Sequence, residues 1–354
     1  MSPLFIPGPV DVAEEIAQAQ AQPMLPHRSP AFEEIFHRAE ANLRQVFRTQ
    51  HRVFISASSG TGLHEAAVRN LAHSKVLCCV NGAFGKRWYD VATSNGKQAD
   101  MLEVDWQQPI TPDLVAKALD GKEYEVVTVI HNETSTGLQN PVKAIAEAVR
   151  QTSPDTFICV DAVSSLSGAE IEMDEWDIDF LLTSSQKCFA LPPGLAFAGV
   201  NDRAMEKAAK VENRGWYFDL IRLEKHRTTN STPATPAVSL IYALDLQLKR
   251  ILEEGLEKRW ARHSAMASHA QSWALENGMG LFAPEGYRSQ TVTTVENLIG
   301  IDIKALNQFL AGKNMRIAGG YGPLKERTFR IGHMGELTVA DLDALFAAIQ
   351  EFMN

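Results

Sequence analysis

Val53-Phe-Ile-Ser-Ala-Ser-Ser-Gly-Thr-Gly62, followed by Leu63-His-Glu-Ala-Ala-Val-Arg-Asn-Leu71, is the stretch on which the fold turns. Val53 to Ser56 has the short apolar pattern of a strand, and Leu63 to Leu71 has helical spacing. The link between them is built of Ser, Gly and Thr. Strand, small-residue turn and helix N-terminus together collect free backbone N–H groups and a favourable dipole for an anion. Further strands are expected at 75–80, 100–104, 126–130, 157–160, 180–182 and 195–200. Helical patterns at 84–93, 111–119 and 142–151 separate most of them, and another runs from Pro30 to Arg48. Apolar strands alternating with amphipathic helices imply an α/β fold with a mainly parallel sheet covered on both faces.

Ligand sites in such sheets lie beyond the carboxyl ends of the strands. Polar residues gather at those ends here: Ser58 to Thr61, Asn81-Gly82, His131 to Thr136, Asp161, and Ser184 to Lys187. Lys187 stands out. It sits between Phe180-Leu-Leu182 and Phe189 to Leu191, in a segment that is not surface-like. A buried ammonium is costly, so a lysine so placed tends toward the neutral amine, which attacks aldehydes. The plainer expectation is a side chain that snorkels out of a strand end.

The totals bound the rest. With 354 residues, 45% hydrophobic and 22% charged, the chain is long enough for two units and ordinary in composition. A formal charge of −9 and the lack of a basic run argue against nucleic-acid and anionic-membrane partners. The N-terminus lacks a signal-peptide pattern, and no apolar run approaches the ~20 residues of a membrane span. Cys78, Cys79, Cys159 and Cys188 have neither metal nor disulfide spacing, so reduced thiols and a cytoplasmic location are expected, with no metal site. Residues 1–14 read as a proline-rich arm, 15–255 as the large unit and 256–354 as a small α+β unit. In the small unit, strands at 291–295, 315–317 and 328–331 alternate with helices at 303–310 and 339–352. One long helical stretch, from Pro236 to about Asn277, leads into it.

A lysine that holds a pyridoxal aldehyde needs definite neighbours. The ring nitrogen calls for a buried carboxylate, and Asp161 ends an apolar strand. At ~3 Å and an effective dielectric of ~20 that pairing has a gross Coulomb energy of roughly 5 kcal/mol before desolvation. The alternative for Asp161 is a helix N-cap ahead of Ala-Val-Ser-Ser. Ser59, Gly60 and Thr61 offer hydroxyls and amides to a phosphate, and Phe84 can stack on a ring.

With these residues in view the chain resembles the fold-type I, class V pyridoxal-phosphate aminotransferases of the alanine–glyoxylate/serine–pyruvate group, over nearly its whole length. Ser59 to Ala67 looks like the family's phosphate loop, preceded by an extra residue in Ser56-Ala-Ser-Ser59. Asn81 to Arg87 is similar to the ring-stacking segment, with Phe84 where tryptophan is frequent. His131 to Gly137 resembles the motif whose Thr134 contacts the cofactor, and Val160 to Ser165 the ring-nitrogen aspartate motif. Ser185-Gln-Lys-Cys-Phe-Ala-Leu-Pro-Pro-Gly194 is the most specific match. It implies Gln186 as a cofactor contact and Lys187 as the Schiff-base lysine of pyridoxal 5′-phosphate. Thr232 to Pro236 resembles the segment that reaches the neighbouring subunit's phosphate, through Thr235. Phe329 to Gly335 resembles the motif whose arginine, Arg330, binds the substrate α-carboxylate. A seven-stranded sheet, a homodimer with shared active sites and small amino-acid and 2-oxo-acid substrates follow from the resemblance. The substrates implied are alanine or serine with glyoxylate or pyruvate. A phosphoserine transaminase would need a second anion site, for which His27-Arg28 is the candidate. A cysteine desulfurase would need a mobile cysteine and usually a histidine before the lysine, where Gln186 stands. Cys188 is expected to point away on strand-like backbone.

Overall fold

The computed structural model describes residues 3–354, so the first two residues of the expected arm lie outside it. A seven-stranded sheet runs in the order Arg52–Ser56, Ala196–Val200, Phe180–Ser184, Phe157–Asp161, Val126–Ile130, Lys75–Val80, Gln98–Glu103. Only Ala196–Val200 opposes its neighbours, pairing antiparallel with Arg52–Ser56 and Phe180–Ser184. The others run parallel. The mainly parallel, doubly covered sheet expected from the strand pattern is therefore the one observed.

Side chains of each strand divide between two cores, as the two-residue period requires. Val53, Ile55, Leu77, Cys79, Val127 and Val129 face helices Pro30–Phe47, Pro112–Leu119, Val142–Thr152 and Val238–Glu254. Phe54, Val76, Cys78, Val80, Val126 and Ile130 face Gly60–Leu71, Ala83–Ser94 and Asp202–Lys210. Every residue of Val126–Ile130, Phe180–Ser184 and Ala196–Val200 is buried. The edge strand Gln98–Glu103 is mostly exposed, and its composition is correspondingly polar.

The second sheet has five strands, ordered Leu4–Phe5, Arg316–Gly319, Thr328–Gly332, Val292–Glu296, Gly280–Leu281. Helices Leu256–Glu276, Ile303–Gly312 and Val339–Met353 pack on it through Met266, Leu306, Leu310, Leu345 and Ile349. Here the arm departs from a featureless extended segment. Leu4–Phe5 pairs parallel with Arg316 and Ile317, and the arm lies along its own chain. The long helical stretch also differs from expectation: it breaks at Gly255, whose φ of +82° lies in the left-handed region that interrupts a helix. All four cysteines are buried free thiols, and burial pushes Cys78 up to about 12. No helix among the described residues is long and apolar enough to cross a membrane.

Candidate active site

The Ser/Gly/Thr link joins strand Arg52–Ser56 to a helix, the local geometry its composition suggests. Helix Gly60–Leu71 starts at Gly60, three residues earlier than its apolar spacing indicates, so Gly60 and Thr61 are its first turn. Ser59 is the N-cap in extended conformation, and its hydroxyl makes no capping bond. The first-turn amides of Gly60 and Thr61 are thus left without a side-chain cap at the end of the sheet, an anion-binding arrangement. A Cβ on Gly60 would lie 2.5 Å from Val163 Cγ2. Only glycine lets this helix abut the turn that follows Asp161.

Asp161 closes strand Phe157–Asp161 and is almost fully buried. Residues 162–165 form a turn and no helix, so the N-cap alternative is overturned. One carboxylate oxygen accepts from the Val163 amide at 2.8 Å, and the other lies 2.7 Å from His64 Nε2.

Phe84 is held by a second motif. The buried Glu133 carboxylate accepts from the Phe84 and Gly85 amides at 3.0 Å, and from Ser135 N at 3.1 Å and Oγ at 2.5 Å. It caps helix Ala83–Ser94 and locks the two motifs together. Burial pushes this carboxyl upward in pKa, against the pull of those donors. Thr134 Oγ1 and Ser164 Oγ share a 2.5 Å hydrogen bond.

Lys187 lies in a turn, not on a strand, and is 9% exposed. Its Nζ donates to the Pro7 carbonyl, and Val10 N donates to Gln186 O at 3.1 Å, so the N-terminal arm is laid over the lysine. Gly8, at φ +102°, is the close approach: a Cβ there would sit 2.5 Å from Lys187 Cδ. Burial first, with the nearby Arg330 guanidinium adding, lowers the amine to about 8. The snorkelling alternative therefore fails. Cys188 does point away, on turn backbone, donating to Ser164 O at 3.3 Å, and burial raises its thiol to about 12.

A cleft of roughly 570 Å³ gathers these groups: Gly60, Thr61, Phe84, Thr134, Asp161, Gln186 and Lys187 line it. Ser59, exposed at the helix cap beside Gly60, does not line it. Arg330, on strand Thr328–Gly332 of the small sheet, does not line it but adjoins it at Thr134: Nη1 donates to Thr134 O and Nε to Gly319 O, both at 3.1 Å. It pairs with no carboxylate among the described residues, its guanidinium stands 5.4 Å from the Tyr321 ring centroid, and burial lowers its pKa. Thr235 is not in this cleft. It lines a separate apolar pocket with Ile55, Tyr217 and Leu223. Neither Thr232 nor Thr235 caps a helix: Thr232 Oγ1 donates to Ala234 O, and helix Val238–Glu254 starts at an N-cap, Ala237, without a side-chain bond. His27 and Arg28 do not line the cleft, and Arg28 is exposed.

Five polar cleft residues carried no assignment from sequence: His64, Arg87, Asn132, Ser164 and Ser184. Arg87 stacks 4.7 Å from the Phe84 ring and reaches Thr61 Oγ1 at 3.4 Å. Asn132 Oδ1 and Ser184 Oγ are buried without a partner, acceptors or donors left to whatever fills the cleft. The spacing of His64, four residues after Gly60 on one helix face, was the available signal for it.

An anion-ready loop, an aromatic ring, a buried carboxylate and a buried amine thus converge at the strand ends of a mainly parallel sheet, a setting suited to a small ligand. The match to known proteins narrows this. The family model "Aminotransferase class-V" covers residues 11–334. L-aspartate–glyoxylate aminotransferase of Paracoccus denitrificans is 36% identical over 348 residues, spanning 96% of this chain and 88% of its own. Alanine–glyoxylate aminotransferase 1 of Saccharomyces cerevisiae is 36% identical over 358 residues, spanning 94% and 91%. The crystal structure of alanine–glyoxylate aminotransferase from Nostoc sp. superposes with a TM-score of 0.93 at 29% identity, covering 99% of this chain and 95% of that one. The chain belongs to the class-V aminotransferase family, and it is a transaminase.

Proposed function

We propose that the protein transfers an amino group between alanine or serine and glyoxylate or pyruvate, using pyridoxal 5′-phosphate bound at Lys187. The observation that carries this reading is the convergence of Lys187, Asp161, Phe84 and the Gly60–Thr61 helix start on one cleft. The donor set fits the cofactor: hydroxyls and amides for its phosphate, Phe84 for one ring face, Asp161 for the ring nitrogen, and unpartnered Ser184 Oγ and Asn132 Oδ1 beside them. When bound, the cofactor supplies an aldehyde and a cationic ring able to store the electron pair of a substrate carbon.

The chain's own groups do the remainder. Lys187 Nζ, lowered to about 8, is largely free base in mildly alkaline solution and is the nucleophile toward the aldehyde. Once displaced by the donor amine, the same nitrogen would take the proton from the substrate α-carbon and deliver it to the former aldehyde carbon, as base and then acid. Asp161 keeps a proton on the ring nitrogen. Arg330 offers a fork to the α-carboxylate, exchanging its bonds to backbone carbonyls for a charge-assisted pair. Glu133 holds Phe84 so that one ring face stays dry.

Both relatives above are named for glyoxylate, which supports it as acceptor. In a panel of donors against glyoxylate, pyruvate and 2-oxoglutarate, alanine or serine with one of the two small acids is expected to give the highest kcat/KM. Dominant use of 2-oxoglutarate, or of a phosphorylated oxo acid, would overturn the assignment. His27 and Arg28, the candidates for the second anion site of the phosphoserine reading, do not line this cleft. The desulfurase reading lacks an accessible thiol among the described cysteines.

The functional unit of this proposal is a homodimer in which Thr235 donates to the phosphate held by the partner. Its position outside the chain's own cleft, without a capping role, supports that reading. Thr235→Ala is expected to weaken pyridoxal-phosphate binding roughly 10-fold. Mixed dimers with Lys187→Ala chains are expected to regain part of the activity, because one site of such a dimer is intact. Unchanged cofactor affinity, and mixtures no better than the separate homodimers, would show that the site is not shared through Thr235.

A further inference from the structure

One buried titratable side chain on the floor of the cleft has no part in the function described so far. His64, one turn into helix Gly60–Leu71, is 2% exposed. Its Nε2 lies 2.7 Å from Asp161 Oδ2, and its ring stacks on Trp88 with centroids 4.1 Å apart and planes 24° from parallel. His64 Nδ1 is buried with no partner. A hydrogen on Nδ1 would be a donor without an acceptor, so the proton belongs on Nε2, aimed at the carboxylate. Trp88 itself is wholly buried, one turn beyond Phe84 on helix Ala83–Ser94.

These contacts leave Asp161 little freedom. Oδ1 is tied to the Val163 amide and Oδ2 to His64, so rotation of the carboxylate about its last torsion breaks one bond or the other. His64 cannot yield, because Trp88 backs one face of its ring and the helix anchors its stem. The element that presents Phe84 to one side of the cleft thereby also braces Asp161 on its floor. An apolar residue at position 64 would leave Oδ2 buried without a donor and the carboxylate free to turn.

We propose that His64 is a positioning residue for Asp161: wedged against Trp88, it aims the carboxylate at the ring nitrogen of the bound cofactor, and so sets cofactor affinity and the rate of proton transfer without touching the substrate. The inference rests on Asp161 being the partner of that nitrogen, as proposed above, and the test separates the two. Four variants are compared with the parent: His64→Leu, His64→Gln, Asp161→Asn and the double variant His64→Leu/Asp161→Asn. Pyridoxal 5′-phosphate affinity is measured by titrating the cofactor-free protein and following absorbance. The thermal midpoint of that cofactor-free protein, and kcat and KM for alanine, are measured alongside.

His64→Leu is expected to weaken cofactor binding roughly 10-fold or more and to lower kcat, since a charge-assisted bond is lost, with KM for alanine nearly unchanged. His64→Gln, whose amide can still donate to Oδ2, recovers most of both. In the Asp161→Asn background His64→Leu adds little, because the two residues act as one unit. If His64→Leu yields no folded protein, His64→Asn, with an amide too short to bridge, takes its place. Additive losses in the two backgrounds without rescue by His64→Gln, accompanied by a matching fall in thermal midpoint, would mark a purely structural histidine and overturn the proposal. Parent-like affinity and kcat in His64→Leu beside an impaired Asp161→Asn would overturn it alone. Parent-like behaviour of Asp161→Asn would remove the underlying assignment and the proposal with it.

Discussion

Lys187→Ala is expected to lose transamination by at least ~10³-fold while retaining pyridoxal 5′-phosphate without a covalent bond. One nitrogen is assigned two tasks, capture of the aldehyde and movement of the α-proton, and alanine performs neither. The surroundings of that nitrogen are built for the neutral form. Burial lowers it to about 8, and the Arg330 guanidinium opposes a second positive charge nearby. The sign of the pH dependence follows. The folded-state value lies below the ordinary lysine range, so the free amine gains population as pH rises through about 8, and the rate of covalent cofactor capture should rise with it and then level off. The same shift means that the folded chain binds fewer protons than the unfolded one above pH 8. The cofactor-free protein should therefore gain stability from Lys187 as pH rises from about 8 toward the ordinary lysine range. Turnover of Lys187→Ala close to the parent's would assign the chemistry to another lysine.

Asp161→Asn is expected to leave the fold intact and lower kcat by ~10²-fold or more, equivalent to a loss of ~3 kcal/mol in transition-state stabilisation. The asparagine oxygen can still accept from the Val163 amide, so the turn at 162–165 keeps its anchor. The other half of the side chain then presents an NH₂ toward His64 and the ring nitrogen in place of an anion. A cationic ring is no longer favoured, and cofactor affinity falls with the rate. Steady-state kinetics, cofactor titration and the thermal midpoint of one preparation distinguish this from a structural role. Parent-like kinetics with a lowered midpoint would place Asp161 among the turn residues.

The sheet could be read from the sequence because its central strands are apolar on both faces, and because their carboxyl ends change abruptly to Asn, His, Asp and Lys. Gly60 and Thr61 were legible as an anion loop for the same local reason. Helices Asp202–Lys210 and Leu220–Arg227 were not, since Ala204, Ala208 and Leu220 are their only buried residues and no apolar stripe marks them. Gly255 was hidden by good helical pattern on either side. The contacts that complete the site are remote in sequence. His64 meets Asp161 across 97 positions, and the Pro7 carbonyl meets Lys187 across 180. Local periodicity carries no information about such pairings. Leu4–Phe5 likewise reveals itself as a strand only once Arg316 and Ile317 are beside it.

The covalent residence of the cofactor on Lys187 is the claim from which the other roles follow, and it can be read directly. The holoenzyme is treated with borohydride, digested, and its lysine-containing peptides are identified by mass spectrometry. The expected result is a pyridoxyl group fixed on the peptide that contains Lys187, absent from Lys187→Ala and from unreduced protein. A pyridoxyl group fixed on a different lysine, or none on any peptide of an active, reduced enzyme, would contradict the account.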